Sequence, residues 1–234
     1  MIIKGKRTKG VHLRKNFHLS DIQKQLCYGT LLGDASLNWR SNGQCRLKVG
    51  HCEKQQDYLE WKRNLLMPFI LQSEPTIDLL SESNFSKNGS KFYIYNTIAH
   101  QDFTDMAGLF YRKVSGKRIR YITMKTLKLL NPFAILIWYL DDGILTKDKE
   151  MRIYSNAYSL SHHKAIKIWF WQQYRIETKI VPTRHGEKIY YFLRFSVNNS
   201  KNLQELFNPY IDSLPECIKY KLLASTTIRK TPIW

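Results

Sequence analysis

Two acids stand out by position. Asp34 ends the apolar stretch "LCYGTLLGDA", and Asp142 ends "LIWYLDDG". Each follows a helical run, so each carboxylate falls at the end where the helix dipole is negative and an anion is least welcome. Gly29 and Gly33 lie one turn apart in the first stretch, and each costs a helix interior about 1 kcal/mol against Ala. One packing explains both costs. If the two helices lie against each other, the glycines let their backbones approach closely, and Asp34 and Asp142 end side by side. Paired carboxylates raise each other's pKa. A divalent cation with oxygen ligands, Mg2+ (or Mn2+), relieves the repulsion. Such a pair suits activation of water and stabilisation of a developing oxyanion. Other candidates are weaker. Cys27, Cys45, Cys52 and Cys217 form no CxxC pair, and Cys45, His51 and Cys52 lack zinc spacing, so the thiols read as free. His162 and His163 open an amphipathic helix and read as surface residues or phosphate contacts.

The elements that position the two acids repeat. "SDIQKQLCYGTLLGD" opens with a capping box, Ser20 with Gln23 three residues on, and predicts a helix over 21–34. "GQCRLKVGH" reads as a strand and "EKQQDYLEWKRNLLMPF" as a helix stopped near Pro68. "TIDLLSES" and "SKFYIYNTI" read as strands joined through "NFSKNG", and "HQDFTDMAGLFYRK" as a helix. The order then restarts. Asn131 caps and Pro132 opens "NPFAILIWYLDDG", followed by a strand, a helix, a hairpin through "RHGEK" and the helix "NSKNLQELFNPY". The period of about 100 residues is too long for a solenoid repeat and suits two similar halves. The expected division is a basic arm over 1–19, a first repeat over 20–130 and a second over 131–234. Tyr58, Trp61, Trp169 and Trp171 read as core.

Across 234 residues, 37 Lys+Arg face 19 Asp+Glu, a net charge of +18. A chain this basic suits a polyanion. The start carries Lys4, Lys6, Arg7, Lys9, Arg14 and Lys15 without an acid, which fits an arm on nucleic acid and argues against a secretory signal. No apolar run approaches the roughly 18 residues of a membrane span. Three strands alternate basic or aromatic residues with apolar ones: Arg46 and Lys48 in "QCRLKVGH", Lys91, Tyr93 and Tyr95 in "KFYIYNT", and Lys188, Tyr190 and Arg194 in "KIYYFLRFS". A sheet with one face on helices shows the other to solvent, and this one suits base edges and phosphates in a major groove. Asn38, Arg40, Arg152 and Arg184 join them, on or beside the strands.

"YGTLLGDA" and "WYLDDG" resemble the signature helices of the LAGLIDADG homing endonucleases, in the single-chain form with two motifs. The resemblance covers about Ser20 to Ser225 and extends to "HQDFTDMAGLFYRKVSGKRI" and "LPECIKYKLL". It implies an α+β fold of two pseudo-symmetric αββαββα repeats, whose antiparallel sheets form a DNA-binding saddle around a central two-helix seam at Gly29 and Gly33. It implies Asp34 and Asp142 as metal ligands and catalytic acids, with Asp141 secondary. Lys117, in "SGKRI", matches the lysine of the first half and Lys221, in "YKL", that of the second. Lys219 is the rival, because one extra residue separates Pro215 from "YKL". Two departures stand out: Ile137 and Trp138 occupy positions where the family has small residues, and Cys217 and Ile218 stand where it has methionine. The implied function is a monomeric endonuclease that makes a metal-dependent double-strand break in a long asymmetric DNA target, promoting intron mobility. An intron RNA maturase on the same scaffold and a non-cleaving DNA-binding regulator are the alternatives. An organelle, mitochondrion or chloroplast, is the expected setting, with phage or bacterial cytoplasm as the alternative.

Overall fold

The computed structural model describes residues 16–70, 72–80 and 89–223. The basic stretch from Lys4 to Lys15 and the expected connection at 84–88 lie outside the described residues. The first half runs α1 (Asp21–Leu32), β1 (Ser36–Trp39), β2 (Cys45–Cys52), α2 (Gln56–Leu65), β3 (Thr76–Leu80), β4 (Ser90–Asn96) and α3 (Gln101–Phe110). A hairpin of β5 (Tyr111–Val114) and β6 (Lys117–Arg120) follows, then the short α4 (Met124–Leu127). The second half runs α5 (Pro132–Asp142), β7 (Gly143–Leu145), β8 (Met151–Tyr154), α6 (Leu160–Tyr174), β9 (Lys179–His185), β10 (Lys188–Arg194) and α7 (Val197–Phe207), and α8 (Glu216–Lys219) closes the described chain. Both halves are thus αββαββα. Their antiparallel sheets share one strand order, β1-β2-β4-β3 and β7-β8-β10-β9.

Local chemistry sets the two central helices. At the start of α1, Ser20 Oγ accepts from Gln23 N–H at 3.4 Å and Gln23 Oε1 accepts from Ser20 N–H at 3.0 Å. That exchange satisfies donors that a helix start leaves unpaired. At the start of α5, Asn131 Oδ1 accepts from Ala134 N–H at 3.1 Å. Gln25 then ties the two together. Its amide donates to Leu129 O at 2.9 Å and its Oε1 accepts from Asn131 N–H at 3.0 Å. Helix α5 is apolar all round, with Phe133 to Leu140 buried throughout, as befits the centre of one shared core.

The seam is as close as its glycines allow. A Cβ on Gly29 would press into the Ala134 carbonyl and meet Ile137 Cβ at 2.7 Å, and one on Gly33 would meet Asp141 Cβ at 2.5 Å. The bulk of Ile137 is therefore accommodated by the absence of a side chain across the seam. The first helix ends at Leu32, two residues short of its expected end, and the third ends earlier still. Expected to run through Lys113, α3 stops at Phe110, and Tyr111–Arg120 form the β5–β6 hairpin. Ser115 (φ 46°) and Gly116 (φ 78°) turn it, the paired positive φ values that suit a tight hairpin.

Gly29→Val is expected to lower stability by about 1–3 kcal/mol through overpacking. A thermal melt checks this. An unchanged midpoint would contradict the close helix contact at Gly29.

Candidate active site

The seam delivers three acids to one place. Asp141, expected to be secondary, is the one turned into the seam. Its Oδ2 accepts from Thr30 Oγ1 at 2.7 Å and from Asp34 N–H at 3.3 Å, and its Oδ1 accepts from Lys62 Nζ at 2.6 Å and Tyr58 OH at 3.0 Å. Burial alone would raise this carboxyl; Lys62 above all, then His51, holds it below the usual range. Lys62 is almost fully buried and also reaches Thr30 Oγ1 and His51 Nε2, each at 3.0 Å. On the far side of the same ring, His51 Nδ1 lies 3.4 Å from Asp34 Oδ2. Burial and the neighbouring Lys62 push the imidazole down to about 3, so it is neutral near pH 7.

Asp34 and Asp142 remain under-neutralised. Asp34 keeps 38% of its side chain in solvent, yet the protein crowding its other side, with Asp141 behind, raises it to about 6 against Lys62, Lys221 and Arg120. Asp142 is raised well above the usual range by burial, then by Asp34 and Asp141, with Arg120 and Lys221 opposing. Two cations grip the helix ends that carry these acids. Arg120 donates to Gly33 O at 2.6 Å and Ala35 O at 2.5 Å, bracketing Asp34. Lys221, largely buried, donates to Leu140 O at 2.6 Å and Asp141 O at 3.2 Å. Each places positive charge at the negative end of a helix dipole. Of the two rival lysines, Lys221 is the one at the acids; Lys219 pairs with Glu216. Lys117 is exposed on β6, three residues before Arg120. The residue types alone did not mark out Arg120, Lys62 or His51. The one available signal was an unbroken basic hairpin, "YRKVSGKRIR", and a His and a Lys that strand and helix spacing turn inward.

The donor set fits a divalent cation at Asp34 and Asp142. Ligand atoms of Asp34, His51 and Asp141 also lie within 4.8 Å of one another. Asp141 is already occupied by four protein donors, however, and His51 Nε2 faces an ammonium. The unmet negative charge belongs to Asp34 and Asp142, where hard oxygen ligands suit Mg2+ or Mn2+.

Strand register fixes which side chains share the sheet face turned away from the helices. On the first sheet, Asn38 pairs with Arg46, and Lys48 with both Ser36 and Asn96. These residues, with Phe92, alternate against the buried Leu47, Val49, Tyr93 and Tyr95. Tyr93 was expected on the open face and is corrected: it pairs with His51 on the helix-packed side and is 7% exposed. Tyr95 is corrected for the same reason. Lys91 shares their parity and approaches Glu53 at 3.5 Å. Arg40 is exposed at the β1–β2 turn.

On the second sheet, Arg152, Lys188, Tyr190 and Arg194 share the open face. Tyr154 and Phe192 stack there at 4.9 Å. Arg194 is also held by an ion pair. Glu150 takes its Nε at 2.9 Å and Nη2 at 2.5 Å, and Arg152 lies 3.5 Å from the same carboxylate. Arg184 pairs with Ile189 and so has the opposite parity to Arg194, exposed near the hairpin turn. Among the described residues, Arg46 Nε, Asn96 Oδ1 and Arg152 Nε are buried on these faces without a hydrogen-bond partner. Three further expectations resolve. His163 is fully buried on Ser155 Oγ at 2.8 Å instead of lying on the surface. Trp171 is 47% exposed, while Tyr58 and Trp169 are core. Four free thiols are present. Among the described residues no helix is long and apolar enough to cross a membrane.

Two αββαββα units that meet on paired acid-tipped helices, beneath sheets with basic faces, make the architecture of a two-motif homing endonuclease. The chain belongs to the LAGLIDADG DNA endonuclease family, whose sequence model matches residues 24–203. It is similar to DNA endonuclease I-ChuI of Chlamydomonas applanata, 26% identical over 212 residues covering 87% of this chain and 95% of that one. A RecA protein of Mycolicibacterium flavescens is 27% identical over 88% of this chain, which spans only 47% of that relative. Cytochrome b mRNA maturase bI2 of Debaryomyces hansenii is 25% identical, covering 85% of this chain and 72% of that one. The solved structure of homing endonuclease I-WcaI bound to its DNA recognition sequence shares the fold, with a TM-score of 0.75 at 19% identity over 95% of this chain and 96% of that one.

The raised Asp34 carboxyl has a measurable consequence. Between its ordinary value of 3.8 and about 6, the folded chain holds a proton that the unfolded chain has lost, so stability falls as pH rises through that window. Asp34→Asn removes this loss. In EDTA its thermal midpoint is expected to gain on the wild type between pH 4 and 7, and excess Mg2+ is expected to narrow the gap. Parallel pH profiles for the two proteins would contradict the assignment.

Proposed function

We propose that this chain is a sequence-specific homing endonuclease that makes a metal-dependent double-strand break in a long asymmetric DNA target and so promotes intron mobility. The observation that carries the reading is the pair Asp34 and Asp142, one from each half, under-neutralised at the end of one seam. Mg2+ (or Mn2+) held there would polarise the phosphate and lower the pKa of bound water. The chain's own groups do the rest. Asp34 and Asp142 provide the hard oxygen ligands. Arg120 and Lys221 hold the two helix ends and offset the charge of the approaching phosphate. Lys117, with Arg112, Lys113 and Arg118 on the same exposed hairpin, suits phosphate contacts.

Double-stranded DNA is the proposed partner, read on the open sheet faces. Arg46, Lys48, Asn38 and Asn96 supply donors and acceptors in one half, and Arg152, Tyr190 and Lys188 in the other. Because the halves differ, the half-sites differ. Two sheets end to end would cover roughly 20 base pairs at about 3.4 Å each. A single chain supplies both halves of the pseudo-twofold, so we read it as a monomer. The basic arm over 1–19 adds phosphate contacts to repeats at 20–130 and 131–234. The likeness to the bI2 maturase favours a second reading, an intron RNA partner on the same scaffold, which would not need the two acids.

Cleaved sites selected from a randomised DNA library supply the substrate for the test. Mg2+ is expected to support double-strand cleavage of that substrate and EDTA to stop it. Asp34→Asn and Asp142→Asn are each expected to abolish the break while leaving target binding intact. Cleavage by either variant near the wild-type rate would overturn the catalytic assignment.

A further inference from the structure

Asp34 is held by a buried relay that the second half lacks. An ammonium has three donors and no acceptor, and those of Lys62 go to Asp141 Oδ1 (2.6 Å), Thr30 Oγ1 (3.0 Å) and His51 Nε2 (3.0 Å). Because Lys62 can only donate, His51 Nε2 accepts. The ring proton therefore sits on Nδ1, the atom 3.4 Å from Asp34 Oδ2. Asp141 Oδ2 meanwhile receives the Asp34 backbone N–H at 3.3 Å. Asp34 thus meets the relay twice, by a hydrogen bond from its backbone N–H and by a 3.4 Å approach of its carboxylate to the His51 ring. Both contacts trace to Asp141, a residue of the opposite half.

Register shows what stands in these places in the second half. Lys48 pairs with Ser36, two residues beyond Asp34, and Arg152 pairs with Ile144, two beyond Asp142. His51, three residues after Lys48, therefore corresponds to Ser155, three after Arg152. Ser155 Oγ is engaged by His163 Nε2 at 2.8 Å. At the spacing of Lys62 stands Ile166, fully buried.

We propose that His51 and Lys62 are positioning residues for Asp34, so that the two strand-cutting centres of this chain are supported unequally. The proposal rests on the endonuclease reading, in which the pseudo-twofold gives each acid a different DNA strand. A packing role alone would slow both strands together.

The test uses supercoiled plasmid bearing a selected target, with nicked and linear products followed in time. His51→Leu is expected to slow one strand at least tenfold more than the other, so nicked circles accumulate, with target binding unchanged. His51→Asn, whose amide can stand where Nδ1–H stood, is expected to restore linear product. Equal slowing of both strands, no slowing, or failure of Asn to rescue would overturn the proposal. Nitrogen NMR of His51 in the free wild-type protein supplies a readout independent of cleavage and of variant folding. The proton is expected on Nδ1 with Nε2 accepting from Lys62, and a proton on Nε2 would overturn it. If the wild-type chain cuts no DNA, the endonuclease reading fails by itself, and the relay is judged on the NMR result.

Discussion

Everything in this protein depends on how closely α1 and α5 approach. Gly29 takes the Ala134 carbonyl and Ile137 at its bare Cα, and Gly33 takes Asp141. Any larger side chain would separate the helices and, with them, the two carboxylates at their ends. The cost is real, since glycines weaken a helix and helix C-termini repel anions. It is offset by burial along α5, whose residues from Phe133 to Leu140 all lie in the core.

That approach creates an electrostatic problem which the fold solves only in part. Asp141 is neutralised completely, by Lys62, Thr30, Tyr58 and a backbone N–H. A buried ion pair of this kind adds little net stability but is costly to break, and here it bolts the halves together. Asp34 and Asp142 receive only longer-range help, Asp34 from Lys62, Lys221 and Arg120 and Asp142 from Arg120 and Lys221. The contrast between adjacent residues Asp141 and Asp142 follows from helix geometry. The two lie about 100° apart on α5, and Asp141 is the one that takes the hydrogen bonds across the seam. The same sequence doublet therefore holds a structural acid and a candidate metal ligand.

Much of this was legible in the sequence. The capping box, the Asn-Pro start, the two glycines and the repeated order of elements gave the halves and the seam. What local patterns could not give was which cations reach the acids. Arg120 arrives through the β5–β6 hairpin, which the sequence reads as the end of a helix, and Lys62 from a helix whose charged residues look solvated. Strand faces were legible where alternation was clean, as at Arg46 and Lys48. They failed in "KFYIYNT", because Tyr93 and Tyr95 are amphipathic enough to suit either face and only pairing with His51 and Val49 decides. Arg194 has a neighbour that the sequence did not suggest. Its partner, Glu150, precedes β8 and is brought to it only by the sheet.

The most direct measurement is anomalous diffraction at the manganese edge from crystals of the protein grown with Mn2+. The close seam and the charge balance predict a peak ligated by Asp34 and Asp142 together, with Lys62 still on Asp141. A peak seated instead among Asp34, His51 and Asp141, with the Lys62 ammonium displaced, would contradict the account.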